Sequence, residues 1–163
     1  MIHRLITLLA LVVSLNAYSI PTPQGEPILW VNGNLSQLNT VDGVVFDEQM
    51  LQALDIQSIT TSNHVVSQVV EYRGPTIKSL LDYVGAKGTH VRITAWDDYV
   101  VRIAVSDIEK YGVLLATHEA GNKMTLDDKG PLFVVFPFSE YPELRNDFYY
   151  SLSAWQVKEV FVE

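Results

Sequence analysis

The 163-residue chain contains no cysteine. That single absence excludes disulfides, cysteine nucleophiles, thiolate metal sites and iron–sulfur clusters together. Basic residues are also scarce: eleven Lys and Arg stand against nineteen Asp and Glu, a formal charge of −8. Nucleic acid and anionic membrane surfaces both select basic patches, so neither suits this chain as a partner. No apolar run reaches the roughly 20 residues that a membrane-spanning helix needs. No Gly-x-Ser-x-Gly elbow is present to mark a serine nucleophile. His64, His90 and His118 have no short mutual spacing of the kind that marks a metal site. Internal repeats and linkers are lacking too, and the length favours one domain.

What is present begins with a leader. Met1-Ile2-His3-Arg4 is a short basic segment, and Leu5 to Leu15 is apolar apart from Thr7 and Ser14. Ala17-Tyr18-Ser19 then has the small-x-small pattern of a signal-peptidase site. Residues 1–19 therefore read as a signal peptide and 20–163 as the mature domain, exported to a periplasm and not inserted in the membrane after cleavage. Removing Arg4 with the leader leaves ten basic and nineteen acidic residues, a formal charge of −9. About 144 residues are enough to hold a core together without cross-links.

Hydrophobic periodicity and turn residues lay out the elements. Ile28 to Val31 reads as a strand closed by the hairpin dipeptide Asn32-Gly33, and Asp42-Gly43 precedes a second strand at Val44 to Phe46. Asp47 is placed to cap a helix from Glu48 to about Leu54. Strands are expected over Ile56–Thr61 and Val65–Tyr72. Gly74-Pro75 then stops the second strand and opens a helix with Ile77, Leu80, Leu81 and Val84 on one face, Lys78 in its later turns and Gly85 at its end. Strands at Val91–Thr94 and Val100–Ile103 flank Ala95-Trp96-Asp97-Asp98-Tyr99. Ser106 is expected to cap a short helix that ends at Gly112. Val113–Thr117 is a further strand, and a long loop follows. Leu132–Phe136, apolar on both faces, reads as a central strand, and Trp155–Val162 as the last one. About eight strands with two or three short helices point to an α+β or mainly-β domain.

The stretch from Ala95 to Tyr99 sets two carboxylates beside two large aromatics at a chain reversal. It can be a plain turn, a catalytic carboxylate pair or a shelf for a ligand. Asp127-Asp128 is a second acidic pair, followed by Lys129-Gly130-Pro131, where a cation adjoins a glycine that lets a ligand approach the backbone. A carboxylate accepts two parallel N–H bonds, which suits the 2-amino-4-oxo edge of a pterin or guanine. Trp30 is expected in the core. Strand alternation puts Trp96 on the face opposite Asp97, which moves it towards the core as well, whereas Trp155, with polar residues nearby, can pack in the core or serve as a stacking platform.

The series Tyr72-Arg73-Gly74-Pro75, Ala95 to Tyr99, Tyr111 to Thr117, Asp128 to Leu132, Phe136-Pro137 and Trp155-Gln156-Val157 resembles, in order and spacing, the molybdopterin-binding domain of the sulfite-oxidase type. The resemblance implies a single α+β domain with a mixed sheet. It is also similar to small periplasmic pterin-binding proteins that act on the periplasmic domain of an inner-membrane cyclic-di-GMP signalling enzyme. The catalytic members ligate molybdenum through a cysteine, which this chain lacks, so molybdenum turnover is not expected and a metal-free pterin is. The implied ligand-binding set is Asp97, Asp98, Tyr99, Asp128, Lys129, Pro137 and Trp155, with Asp98 favoured for the pterin amino edge, Tyr99 or Trp155 stacking, and the Asp128–Pro131 loop closing the pocket. The alternative is a molybdopterin-dependent oxidoreductase, or a subunit of one.

Overall fold

A computed structural model describes residues 20–64 and 66–163. The signal-peptide reading concerns residues outside that range. Among the described residues no helix is long and apolar enough to cross a membrane.

In chain order the elements are β1 (Leu29–Gly33), β2 (Gly43–Phe46), α1 (Glu48–Gln52), β3 (Ile56–Thr61), β4 (Val70–Pro75), α2 (Ile77–Tyr83), β5 (His90–Ala95) and β6 (Val100–Ala104). They continue with α3 (Val105–Tyr111), β7 (Leu114–Ala116), β8 (His118–Glu119), β9 (Asn122–Lys123), β10 (Phe133–Val135), a 3₁₀ turn (Pro142–Leu144), α4 (Asp147–Ser151) and β11 (Val157–Val162). The expected α+β class with a mixed sheet is what forms. The largest sheet runs β2-β1-β11-β5-β6, with β1 and β11 parallel and every other neighbour antiparallel. A four-stranded sheet, β3-β4-β8-β9, and the pair β10-β7 complete the architecture.

The large sheet is half-buried, and its strands alternate accordingly. Val91, Ile93 and Ala95 of β5 point inward with Val101 and Ile103 of β6, while His90, Arg92 and Thr94 face out. In β11 a register shift between Val157 and Glu159 leaves both Lys158 and Glu159 outside, yet Val160 and Val162 still face the core. Leu132–Phe136 is buried as expected, but for a different reason than a central place in a sheet. Its strand, β10, has β7 as its only strand neighbour among the described residues, and its two faces serve two apolar clusters. Leu132, Val134 and Phe136 join the main core, whereas Phe133 and Val135 join a smaller one with Tyr72, Leu114, Ala116 and Met124.

Several boundaries differ from the sequence expectation. Asn32-Gly33 makes no two-residue hairpin: both belong to β1, and Gly33 (φ +98°) lies so close to β11 that a Cβ would sit 2.2 Å from the Val162 carbonyl oxygen. The strand expected from Val65 starts at Val70, because β3 offers it partners only from Thr61↔Val70 onward. It then runs through Pro75, and Thr76, not Pro75, begins the helix by accepting the Ser79 N–H at 3.1 Å. Lys78 accordingly lies in the first turn of α2, where it pairs with Asp82. Ser106 falls inside α3, whose N-cap is Ala104 with no side-chain cap bond, and Gly112 ends it in the left-handed conformation.

Asp47 caps α1 as expected, accepting the Met50 N–H at 2.9 Å, and it does more. Its second oxygen accepts the N–H groups of Gln24 at 2.7 Å and Gly25 at 2.8 Å, which anchors the proline-containing start of the domain. The Gly25 and Met50 amides hold its carboxyl below the usual range. A depressed folded pKa gives stability that is present above the unfolded value and lost as pH falls through the folded one. Asp47→Ala should therefore lower Tm by roughly 2–6 °C at pH 7. In thermal melts followed by circular dichroism, the gap to the parent protein should narrow below about pH 4.

Candidate ligand pocket

The turn between β5 and β6 is tight. The Asp98 N–H donates to the Ala95 carbonyl at 3.2 Å and the Ala95 N–H to the Tyr99 carbonyl at 2.9 Å. Asp98 takes the left-handed conformation (φ +64°), which aspartate tolerates better than most residues. One Asp97 oxygen accepts the Tyr99 N–H at 3.0 Å, and its other oxygen has no protein partner among the described residues. Tyr99 then reaches across and donates its hydroxyl to the Ser151 carbonyl at 2.8 Å, tying the turn to the end of α4.

From α4 the chain passes through Ser153, Trp155 and Gln156 before entering β11. Gln156 is a positive-φ residue (+49°) held from several sides. Its N–H donates to the Lys129 carbonyl at 2.9 Å, and its carbonyl accepts the Trp96 N–H at 3.0 Å. Its side-chain amide donates to the carbonyls of Leu126 at 2.6 Å and Asp128 at 3.2 Å. Trp155 stands edge-on to Phe133, ring centres 6.2 Å apart. Tyr150 packs against Phe138 at 4.9 Å and His64 at 5.3 Å. Together these segments enclose a hollow of about 340 Å³ walled by His64, Asp97, Tyr99, Tyr150, Ser153 and Trp155. The Ser153 hydroxyl oxygen is buried and has no hydrogen-bond partner in the protein. Buried hydroxyls are ordinarily paired, and this one is an exception beside the hollow.

A charged network supports the pocket from behind. Lys129 Nζ lies 2.7 Å from Glu119 and 2.9 Å from Asp128, and 6.0 Å from the centre of the Trp155 ring. Tyr72 donates to the other Glu119 oxygen at 2.9 Å and receives an N–H from the Asn63 side chain at 3.2 Å. Burial acts to lower the Lys129 pKa, but the two carboxylates outweigh it and hold it above the ordinary lysine value. Burial, reinforced by Glu119, pushes the Tyr72 phenol far above its usual range.

Of the residues expected from the sequence, Asp97, Tyr99 and Trp155 come together in the hollow. Asp98, the favoured carboxylate, points away: its side chain is 89% exposed and lies 3.7 Å from Lys158. Asp128 and Lys129 stand behind Trp155 and contribute backbone carbonyls to Gln156 without lining the hollow. Pro137 is buried at the end of β10, where its carbonyl accepts the N–H groups of Glu140 and Tyr141 in a turn. Trp96 is not in the core. It is 46% exposed, edge-on to half-buried Trp30 at 6.0 Å, with the Lys158 ammonium 5.3 Å from its ring centre. Strand alternation does not govern it, because it belongs to the turn. Tyr150 and Ser153 escaped the sequence reading, which weighs His64 only as a metal ligand and includes Gln156 within Trp155-Gln156-Val157 without a role.

No protein-family model and no curated protein matches this chain. Among solved structures it resembles the sulfane dehydrogenase SoxCD from Paracoccus pantotrophus, with a TM-score of 0.59 and 14% identity over 82% of this chain and 37% of that one. The fold is the sulfite-oxidase type. The chain thus spans a little over a third of that protein's length. What the pocket can hold depends on its own residues. A thiolate-held metal does not fit, since the chain has no cysteine and no group of three metal-ligating side chains occurs among the described residues. The rings of Trp155, Tyr150 and His64 and the carboxylate of Asp97 give the hollow an aromatic and acidic lining.

Proposed function

We propose that this is an exported, periplasmic pterin-binding protein without catalytic activity, which reports pterin to the periplasmic domain of an inner-membrane cyclic-di-GMP signalling enzyme. The observation that carries the reading is an exposed carboxylate, Asp97, with one oxygen free of protein partners among the described residues, set beside the rings of Tyr99, Tyr150 and Trp155 in one hollow. The 2-amino and N3 donors of a pterin match a carboxylate, and its ring matches the aromatic walls. The acidic surface and the leader support an exported partner-binding protein over one that acts on nucleic acid.

The role first given to Asp98 passes to Asp97. Losing a hydrogen bond to a charged group costs about 1.5–3 kcal/mol, so Asp97→Ala should weaken tetrahydrobiopterin or monapterin binding roughly 10- to 150-fold in calorimetry. Asp98→Ala should leave it within about twofold. The opposite pattern would overturn the placement, and no pterin binding by the parent protein would overturn the function.

The likeness to a sulfane dehydrogenase favours a second reading, a molybdopterin-dependent oxidoreductase or a subunit of one. It requires a ligand to molybdenum other than cysteine. Stoichiometric molybdenum in protein purified from its native periplasm would establish that reading in place of the sensor.

A further inference from the structure

A second hollow, of about 370 Å³, lies between α1 and the four-stranded sheet and shares no lining residue with the pterin pocket. Both volumes fall in the range of small-molecule sites. Its sheet wall is built by register. Arg73 of β4 pairs with His118 of β8, and His118 pairs with Lys123 of β9, so three basic residues stand side by side across three strands on one face. The chain as a whole is short of basic residues, yet Arg73 and Lys123 stand two strands apart on this one face. Lys123 is compensated by Glu48 of α1. Arg73 is exposed and has no ion-pair partner among the described residues, and His118 makes its one side-chain hydrogen bond through Nδ1, 2.8 Å from the Thr117 hydroxyl. The remaining walls are largely apolar, with Ile28, Leu51, Ile56 and Pro75 among them.

We infer that this hollow is a second ligand site, for a small organic carboxylate whose head meets Arg73 and His118 and whose apolar body lies against Leu51, Ile56 and Pro75. Charge balance selects the class. Arg73 and Lys123 against Glu48 leave one uncompensated positive charge, which matches a monoanion. A guanidinium fork binds a carboxylate through two parallel N–H bonds, and an apolar body gains from the walls what free phosphate would not.

Benzoate is a suitable probe, with the full mature domain followed by ¹H–¹⁵N correlation spectra. Saturable shifts are expected at the amides of Leu51, Arg73 and His118, and not at Tyr99 or Gln156 of the pterin pocket. Arg73→Gln should weaken the binding at least about 10-fold. Arg102→Gln, which removes a guanidinium paired with Glu163 on another sheet, should leave it unchanged. If Arg73→Gln does not fold, His118→Gln serves as the second variant, with weakening of threefold or more expected. The inference falls if benzoate causes no saturable shifts at tens of millimolar, if the shifts map to the pterin pocket, or if whichever variant folds binds as tightly as the parent. Equal shifts with inorganic phosphate at the same concentrations would also overturn it, since the site would then read charge alone. None of these outcomes touches the Asp97 experiment, so the two sites stand or fall separately.

Discussion

Phe133→Ala should destabilise the domain by about 3–5 kcal/mol and loosen the candidate ligand pocket at the same time. Phe133 is 1% exposed and belongs to the smaller of the two apolar clusters. Its ring meets Tyr72 edge-on at 5.5 Å and Trp155 edge-on at 6.2 Å. Truncation opens a cavity between the phenol that holds Glu119 and the indole that walls the hollow, and the surrounding strands are too constrained to fill it. Against a typical total stability of about 5–15 kcal/mol this is a large fraction. Urea denaturation should show the midpoint falling with an unchanged slope, and pterin affinity should fall as well. Phe133→Leu keeps most of the volume and should cost less than half as much. An alanine variant of near-parental stability would mean that the smaller cluster is not a cooperative part of the core.

Lys129→Met should be nearly as costly, about 3 kcal/mol, although it swaps a charged side chain for an apolar one of similar length. Removing the ammonium leaves Glu119, only 17% exposed, with the Tyr72 hydroxyl as its remaining hydrogen-bond donor. Adding Glu119→Gln removes the stranded charge, so the double variant should recover much of the loss, and the cycle measures the coupling. The pH dependence carries a signature. A pKa raised on folding gives stability that is complete below the unfolded value and lost as pH rises through the folded one. For Lys129 that loss begins above about pH 10.4, and Tyr72, also raised, adds to it above about pH 10. Alkaline melts of the parent should therefore fall steeply, and those of Lys129→Met less so because the Lys129 share is gone.

Legibility in the sequence followed how local each determinant is. The strands β5, β6 and β11 were readable because a half-buried sheet imposes period two on the chain. Asp47 and Gly85 were readable because caps depend on the backbone within a few residues. The turn at Asp97 to Tyr99 and the aromatic at Trp155 were readable for the same reason, as clusters of side chains that a turn or strand end would present. What partners a strand is not local. The run from Val65 has strand composition, but it joins a sheet only where β3 lies beside it. Leu132–Phe136 looks the same whether its two faces meet helices across a sheet or two separate cores. That Asp97 borders the hollow and Asp98 does not depends on the conformation of the turn, with Asp98 in the left-handed region, which residue types alone do not specify. His64, Tyr150 and Ser153 reach the hollow from segments that no spacing rule connects, through contacts such as Tyr99 to Ser151.

The place of β11 has a kinetic consequence. It follows every other described strand in sequence, yet it separates β1 from β5 in the large sheet, pairing in parallel with the first strand. Until residues 157–162 are available, β1-β2 and β5-β6 are two antiparallel pairs with exposed inner edges and nothing between them. Such long-range closure makes folding slow. Trp155 and Gln156 enter the structure immediately ahead of that strand, so the same late event that seals the sheet assembles one wall of the hollow.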